Sequence, residues 1–153
     1  MPRNREGRVK GMNKGLFTSK TGEWETPQDF FDELEEEFVF TLDPCATKGN
    51  AKCEKFYTKE DDGLSKSWDG EVVFMNPPYG REIGKWIKKA SETKGIVVCL
   101  LPARTDTQWF HKFIYGKHEI RFLKGRLKFG GGENSAPFPS MVVVFNPPTN
   151  QKL

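Results

Sequence analysis

The stretch from Val72 to Leu101 constrains the fold more than any other part of this 153-residue chain. The apolar run Val72 to Met75 leads into Asn76-Pro77-Pro78-Tyr79-Gly80. Ile83, Trp86, Ile87 and Ala90 then recur three and four apart, and Ile96 to Leu101 is almost continuously apolar. Short apolar runs bounded by turn residues read as buried strands, and the spacing between them reads as an amphipathic helix with Gly95 placed to end it. Strand, helix and strand in that order require a crossover, which pairs the two strands in parallel.

The flanks extend this pattern. Thr26-Pro27 predicts a helix start, with Thr26 as N-cap, Pro27 at the first helical position and Asp29 at capping-box spacing. Phe30, Phe31, Leu34 and Phe38 mark its buried face. Val39 to Leu42 reads as a short buried strand ending at Asp43-Pro44, and Phe56-Tyr57 as another. A helix around Asp106 to Tyr115, with Asp106 as its cap, and strands near Glu119 to Leu123 and Met141 to Phe145 complete the series. The expected fold class is α/β: one domain with an open, mostly parallel sheet and helices on both faces. The expected division is a basic arm over 1–22, the folded domain over 23–146 and a tail over 147–153.

Charge narrows the partners. The net charge is only +3, but Arg3, Arg5, Arg8, Lys10, Lys14 and Lys20 crowd the beginning of the chain. A second basic stretch, Lys112 to Lys128, is interleaved with Phe113, Phe122 and Phe129. Cations mixed with aromatics suit nucleic acid, although a solvated surface over an aromatic core gives the same pattern. The three cysteines form no CxxC and have no nearby histidine, so no disulfide framework or metal site is expected. No apolar stretch approaches a membrane span and the basic N-terminus lacks the apolar segment of a signal peptide, so a cytoplasmic location is expected.

Asn76-Pro77-Pro78-Tyr79 carries the chemistry. Two successive prolines remove two backbone donors, which leaves the carbonyls of Asn76 and Pro77 free to accept. The Asn76 side-chain oxygen is a further acceptor and Tyr79 offers a flat face. Such groups suit a planar amino compound. Acceptors around its nitrogen favour the form with a free lone pair, the form that attacks. Asn146-Pro147-Pro148 serves as an internal control: it also follows an apolar run but continues into Thr149 and a polar tail, so it reads as a strand terminator.

With its flanks, the motif resembles the catalytic Asp/Asn/Ser-Pro-Pro-Tyr element of amino-methyltransferases, and the chain looks like the phage and prophage DNA N6-adenine methyltransferases. The resemblance covers about residues 24 to 145. It implies a Rossmann-like, class I methyltransferase fold, S-adenosylmethionine as cofactor and DNA as partner, with monomer and homodimer both open. Asn76, Pro77, Pro78 and Tyr79 would then be catalytic. Asp43-Pro44-Cys45-Ala46 resembles the acidic-Pro entry of the cofactor loop, without the Gly-x-Gly of the wider family, and Trp24-Glu25-Thr26-Pro27 resembles the Thr-Pro element that binds the methionine carboxylate. Asp62 is a candidate for the ribose. Arg104, in Leu101-Pro102-Ala103-Arg104, together with Arg126 and Lys128 before the run Gly130-Gly131-Gly132, is a candidate for DNA contact. Cytosine N4 or protein glutamine as acceptor remain alternatives, as does a noncatalytic nucleic-acid-binding module on the same fold.

Overall fold

A computed structural model describes residues 24–131 and 134–147, so the basic arm, Pro148 and the rest of the tail lie outside the described residues. Strand β1 (Val72–Met75) crosses through helix α2 (Ile83–Glu92) to strand β2 (Ile96–Pro102), and the two strands pair in parallel with Val72 opposite Ile96. Helix α1 (Gln28–Phe38) precedes them, and β3 (Glu119–Phe122) and β4 (Ser140–Phe145) follow.

The sheet order is β1-β2-β4-β3, and β4 runs antiparallel to both of its neighbours. The expectation of a mostly parallel sheet holds in part: β1, β2 and β3 run one way and β4 is reversed between β2 and β3, so the sheet is mixed and only one of its three pairings is parallel. An apolar run reports burial but not direction. The connection from β3 to β4 carries a short 3₁₀ turn (Phe129–Gly131) instead of a crossover helix, and so brings β4 back reversed.

Alternation along the strands sorts the core into two layers. Phe74, Val98, Leu100, Val142 and Val144 face α1, where they meet Phe31, Leu34 and Phe38. Val73, Met75, Val97, Cys99, Leu101, Met141, Val143 and Phe145 face α2 through Ile83, Ile87 and Ala90, together with Phe110 and Ile114. Helices therefore cover both faces, as the sequence implies. Every residue of β4 is buried.

Several boundaries differ from expectation. The Val39 to Leu42 strand shrinks to two parallel bridges, Leu42 to Val73 and Asp43 to Phe56. Val39 instead terminates α1 in a left-handed conformation (φ 56°) with its N–H donated to the Glu35 carbonyl. At the other end of α1 the cap position falls on Pro27, and no side chain caps it; Asp29 accepts only from the adjacent Phe30 N–H. Helix α2 stops at Glu92, where Thr93 Oγ1 donates to the Lys89 carbonyl. Gly95 serves a close approach instead, since a Cβ there would lie 2.7 Å from the Glu71 carbonyl oxygen. The expected 106–115 helix is a π-helical turn, Phe110–Ile114, closed by the Tyr115 N–H on the Phe110 carbonyl. Thr107 Oγ1, not Asp106, accepts from its first turn. Among the described residues no helix is long and apolar enough to cross a membrane.

Candidate active site

A cavity of about 390 Å³ opens where β1 and the Leu42–Asp43 bridge end, on the carboxyl side where α/β sheets hold ligands. Its wall includes ten of the residues singled out in the sequence: Trp24, Thr26, Asp43, Pro44, Cys45, Ala46, Asp62, Asn76, Pro77 and Pro78. Segments more than fifty residues apart are thus gathered by the end of one strand. Pro27, Tyr79, Arg104, Arg126 and Lys128 are not part of that wall.

Asn76 sits at the exit of β1. Its side-chain nitrogen donates to the Trp24 carbonyl and to Thr26 Oγ1 (2.9 Å). The Trp24 carbonyl can only accept, so the nitrogen must face it and the oxygen must face the other way. That oxygen, Oδ1, is buried and has no partner. Buried acceptors are normally satisfied, and leaving one open costs about 1–3 kcal/mol, so this orphan, on a residue of the cavity wall, is an unusual feature of the fold.

Asp43 supplies the cavity's buried charge. It is 4 % exposed, and its carboxylate accepts the backbone N–H of Lys52 (3.0 Å) and of Cys45 (3.3 Å). Burial nevertheless raises its carboxyl above the ordinary aspartate range, with those bonds opposing the shift. Beside it, Asp62 (φ 58°) and Gly63 form a tight corner. A Cβ at Gly63 would lie 2.3 Å from the Pro44 carbonyl oxygen and 3.3 Å from the Trp86 ring, so only glycine permits the two segments to close.

Tyr79 lies deeper. Its ring is 8 % exposed, its hydroxyl donates to the Leu100 carbonyl (2.9 Å), and burial pushes its phenol well above the ordinary range. The ring meets Phe138 and Phe129 edge-on, with centroids at 5.7 and 6.4 Å, and both phenylalanines also pack against Trp24. The Arg104 guanidinium lies over Phe138 at 5.9 Å. Arg126 donates to the Ala136 carbonyl (3.2 Å), and Lys128 is exposed nearby in sequence.

Lys52, Leu64 and Trp86 are among the wall residues that the sequence does not assign to the site. Lys52 reaches Gln28 at the start of α1, its ammonium donating to Oε1 (2.8 Å). Leu64 and Trp86 supply apolar surface. Trp86 had a signal, because it lies on the edge of the α2 stripe and stays only half-buried while Ile83, Ile87 and Ala90 are covered. Lys52 had none.

The chain matches the family model described as DNA N-6-adenine-methyltransferase (Dam) over residues 15–152. It is 31 % identical over 135 residues to the DNA N-6-adenine-methyltransferase of Haemophilus phage HP1, an overlap of 81 % of this chain and 78 % of that protein. It is also 34 % identical over 109 residues to the DNA N-6-adenine-methyltransferase of Escherichia phage T1, covering 68 % of this chain and 45 % of that one. The family match runs from before the Trp24–Thr26 segment to beyond β4 and so takes in every segment of the cavity: the chain belongs to the DNA N-6-adenine-methyltransferase (Dam) family.

Proposed function

We propose that the cavity beside Asn76 is where this S-adenosylmethionine-dependent adenine-N6 DNA methyltransferase brings cofactor and target base together. The observation that carries the reading is the buried, partnerless Oδ1 of Asn76, a residue of the cavity wall. It is an acceptor awaiting an N–H, and the exocyclic amine of adenine has two.

The cavity suits the cofactor. Its volume falls within the usual range for small-molecule sites. The Asp43 carboxylate is placed for the cofactor's ammonium, the Lys52 ammonium for its carboxylate, Asp62 for ribose hydroxyls, and Leu64 with Trp86 for the flat purine. The absent Gly-x-Gly is compensated by Gly63 closing on Pro44 and by the small, buried Ala46. With β4 as its one reversed strand, the sheet fits a Rossmann-like, class I methyltransferase plan.

The cofactor supplies an electrophilic methyl group on sulfur. The chain's own task is to make adenine's amine a nucleophile. Asn76 Oδ1 and the Pro77 carbonyl, which precedes a residue without an N–H, accept the two amine protons and favour a tetrahedral nitrogen over the conjugated, planar one. Extruding the base costs a few kcal/mol. Tyr79, fixed through Leu100, is buried and outside the cavity wall, so a base stacks on it only after its contacts with Phe129 and Phe138 open; Arg104, Arg126 and Lys128 lie exposed for phosphates. Work on DNA and the free thiols of Cys45, Cys53 and Cys99 support a cytoplasmic location.

The test is transfer of labelled methyl from S-adenosylmethionine to unmethylated DNA, followed by nucleoside analysis. Label on adenine N6 is expected; label on cytosine N4, or only on protein glutamine, would overturn the reading.

A further inference from the structure

We infer that Thr26 is a positioning residue for the reacting amide: the acceptor-only Trp24 carbonyl sets which end of the Asn76 side chain faces it, and Thr26 Oγ1 takes the second N–H and holds that end in place. The inference rests on Asn76 being the amine acceptor. An asparagine side chain is nearly symmetric in shape, but one end accepts hydrogen bonds and the other donates two. Turned by half a rotation, Asn76 would meet the amine donor against donor and could not draw on its protons.

The orientation is imposed from fifty residues away. Asn76 Nδ2 donates to the Trp24 carbonyl and to Thr26 Oγ1, so both of its N–H bonds are engaged on one short segment. Thr26 is 6 % exposed, which keeps water from replacing its oxygen. The segment is itself held from elsewhere: the Gly130 N–H donates to the Glu25 carbonyl (2.8 Å), and the Trp24 ring packs edge-on against Phe129 and Phe138. Thr26 stands where a helix cap is expected from the sequence, yet it caps nothing in α1. Its oxygen is committed to Asn76.

Two substitutions separate this role from packing and from cofactor contact. Thr26→Val keeps the shape and removes the acceptor; Thr26→Ser keeps the oxygen. With one of two orienting bonds gone, kcat of Thr26→Val should fall about tenfold, the rate equivalent of one hydrogen bond, while the Kd for S-adenosylmethionine by calorimetry stays within about twofold. Thr26→Ser should remain within about threefold of the unsubstituted enzyme. The inference is overturned if Thr26→Val weakens cofactor binding with kcat unchanged, if the two variants fall together, or if neither changes. An independent measurement needs no variant of Thr26: the side-chain amide protons of Asn76 should exchange with water far more slowly than those of an exposed asparagine, and equal rates would also overturn it. Full activity in Asn76→Ala would remove the underlying site reading; an inactive Asn76→Ala beside an unaffected Thr26→Val removes the Thr26 role alone.

Discussion

Asn76 and Asn146 each close a buried strand and each precede two prolines, yet their surroundings divide them. Asn146 leaves β4 in a left-handed turn (φ 57°), and its amide nitrogen donates to the carbonyls of Thr93 (3.1 Å) and Gly95 (2.9 Å). It ties down the link from α2 to β2. Asn76 likewise has its nitrogen engaged, but its oxygen is buried and unsatisfied, on a residue of the cavity wall. One copy uses its amide to finish the fold. The other keeps half of its amide in reserve, and only the neighbouring segments determine which is which.

The largest effect should come from Asn76→Ala. Loss of an oriented polar group at the reacting atom should lower kcat on the order of 100-fold or more, with cofactor affinity by calorimetry nearly unchanged. If Asn76→Ala and Asn146→Ala prove equally active, the distinction between the copies collapses. Gly63→Ala asks whether the cavity itself makes Asn76 special. The added Cβ meets backbone at Pro44, so unfolding stability should drop by about 2 kcal/mol or more and cofactor affinity should fall with it. A variant with native stability and affinity would show that the 43–46 and 62–64 segments need not close.

Asn146→Ala is the structural counterpart. Two hydrogen bonds are lost and a non-glycine residue remains at positive φ, so denaturant unfolding should report a loss of about 1–2 kcal/mol with kcat per folded molecule unchanged. The smallest effect is graded with pH. Because the Asp43 carboxyl is raised by burial, the folded protein holds its proton more tightly than the unfolded chain does. Stability of the unliganded protein should therefore decline as pH rises from the unfolded aspartate range through the folded one. Affinity for the cationic cofactor should move the opposite way, weakening as pH falls and Asp43 is protonated. Affinity that is flat across that range would remove Asp43 from the cofactor subsite.

The parts that could be read from the sequence are those with local causes. Strands β1, β2 and β4 announce themselves as apolar runs, and α2 by its spacing, because burial on one or both faces dictates the pattern. The reversal of β4 has no local signature, since direction is set by how the chain returns after β3. Val39 reads as strand because it opens the short apolar run to Leu42; a β-branched residue rarely adopts positive φ, yet the turn out of α1 and the burial of Phe38 and Phe40 on either side require it here. At the site, Asn76 and Asp43 were visible through strand-end motifs. Lys52 was not, because its place depends on a reach to Gln28 across unrelated segments. The helix-cap reading of Thr26 fails for the same reason: its side-chain hydrogen-bond partner is fifty residues on.

The position of β4 bears on how the protein is made. It follows β3 in the chain, it lies inside the sheet, and among the described residues it is the only strand with which β3 pairs. A nascent chain leaving the ribosome N-terminus first therefore exposes one edge of β2 and the whole of β3 until Phe145 has emerged. Only then does the sheet become continuous. Synthesis interrupted before Phe145 should leave a sticky, protease-sensitive fragment rather than a smaller working enzyme.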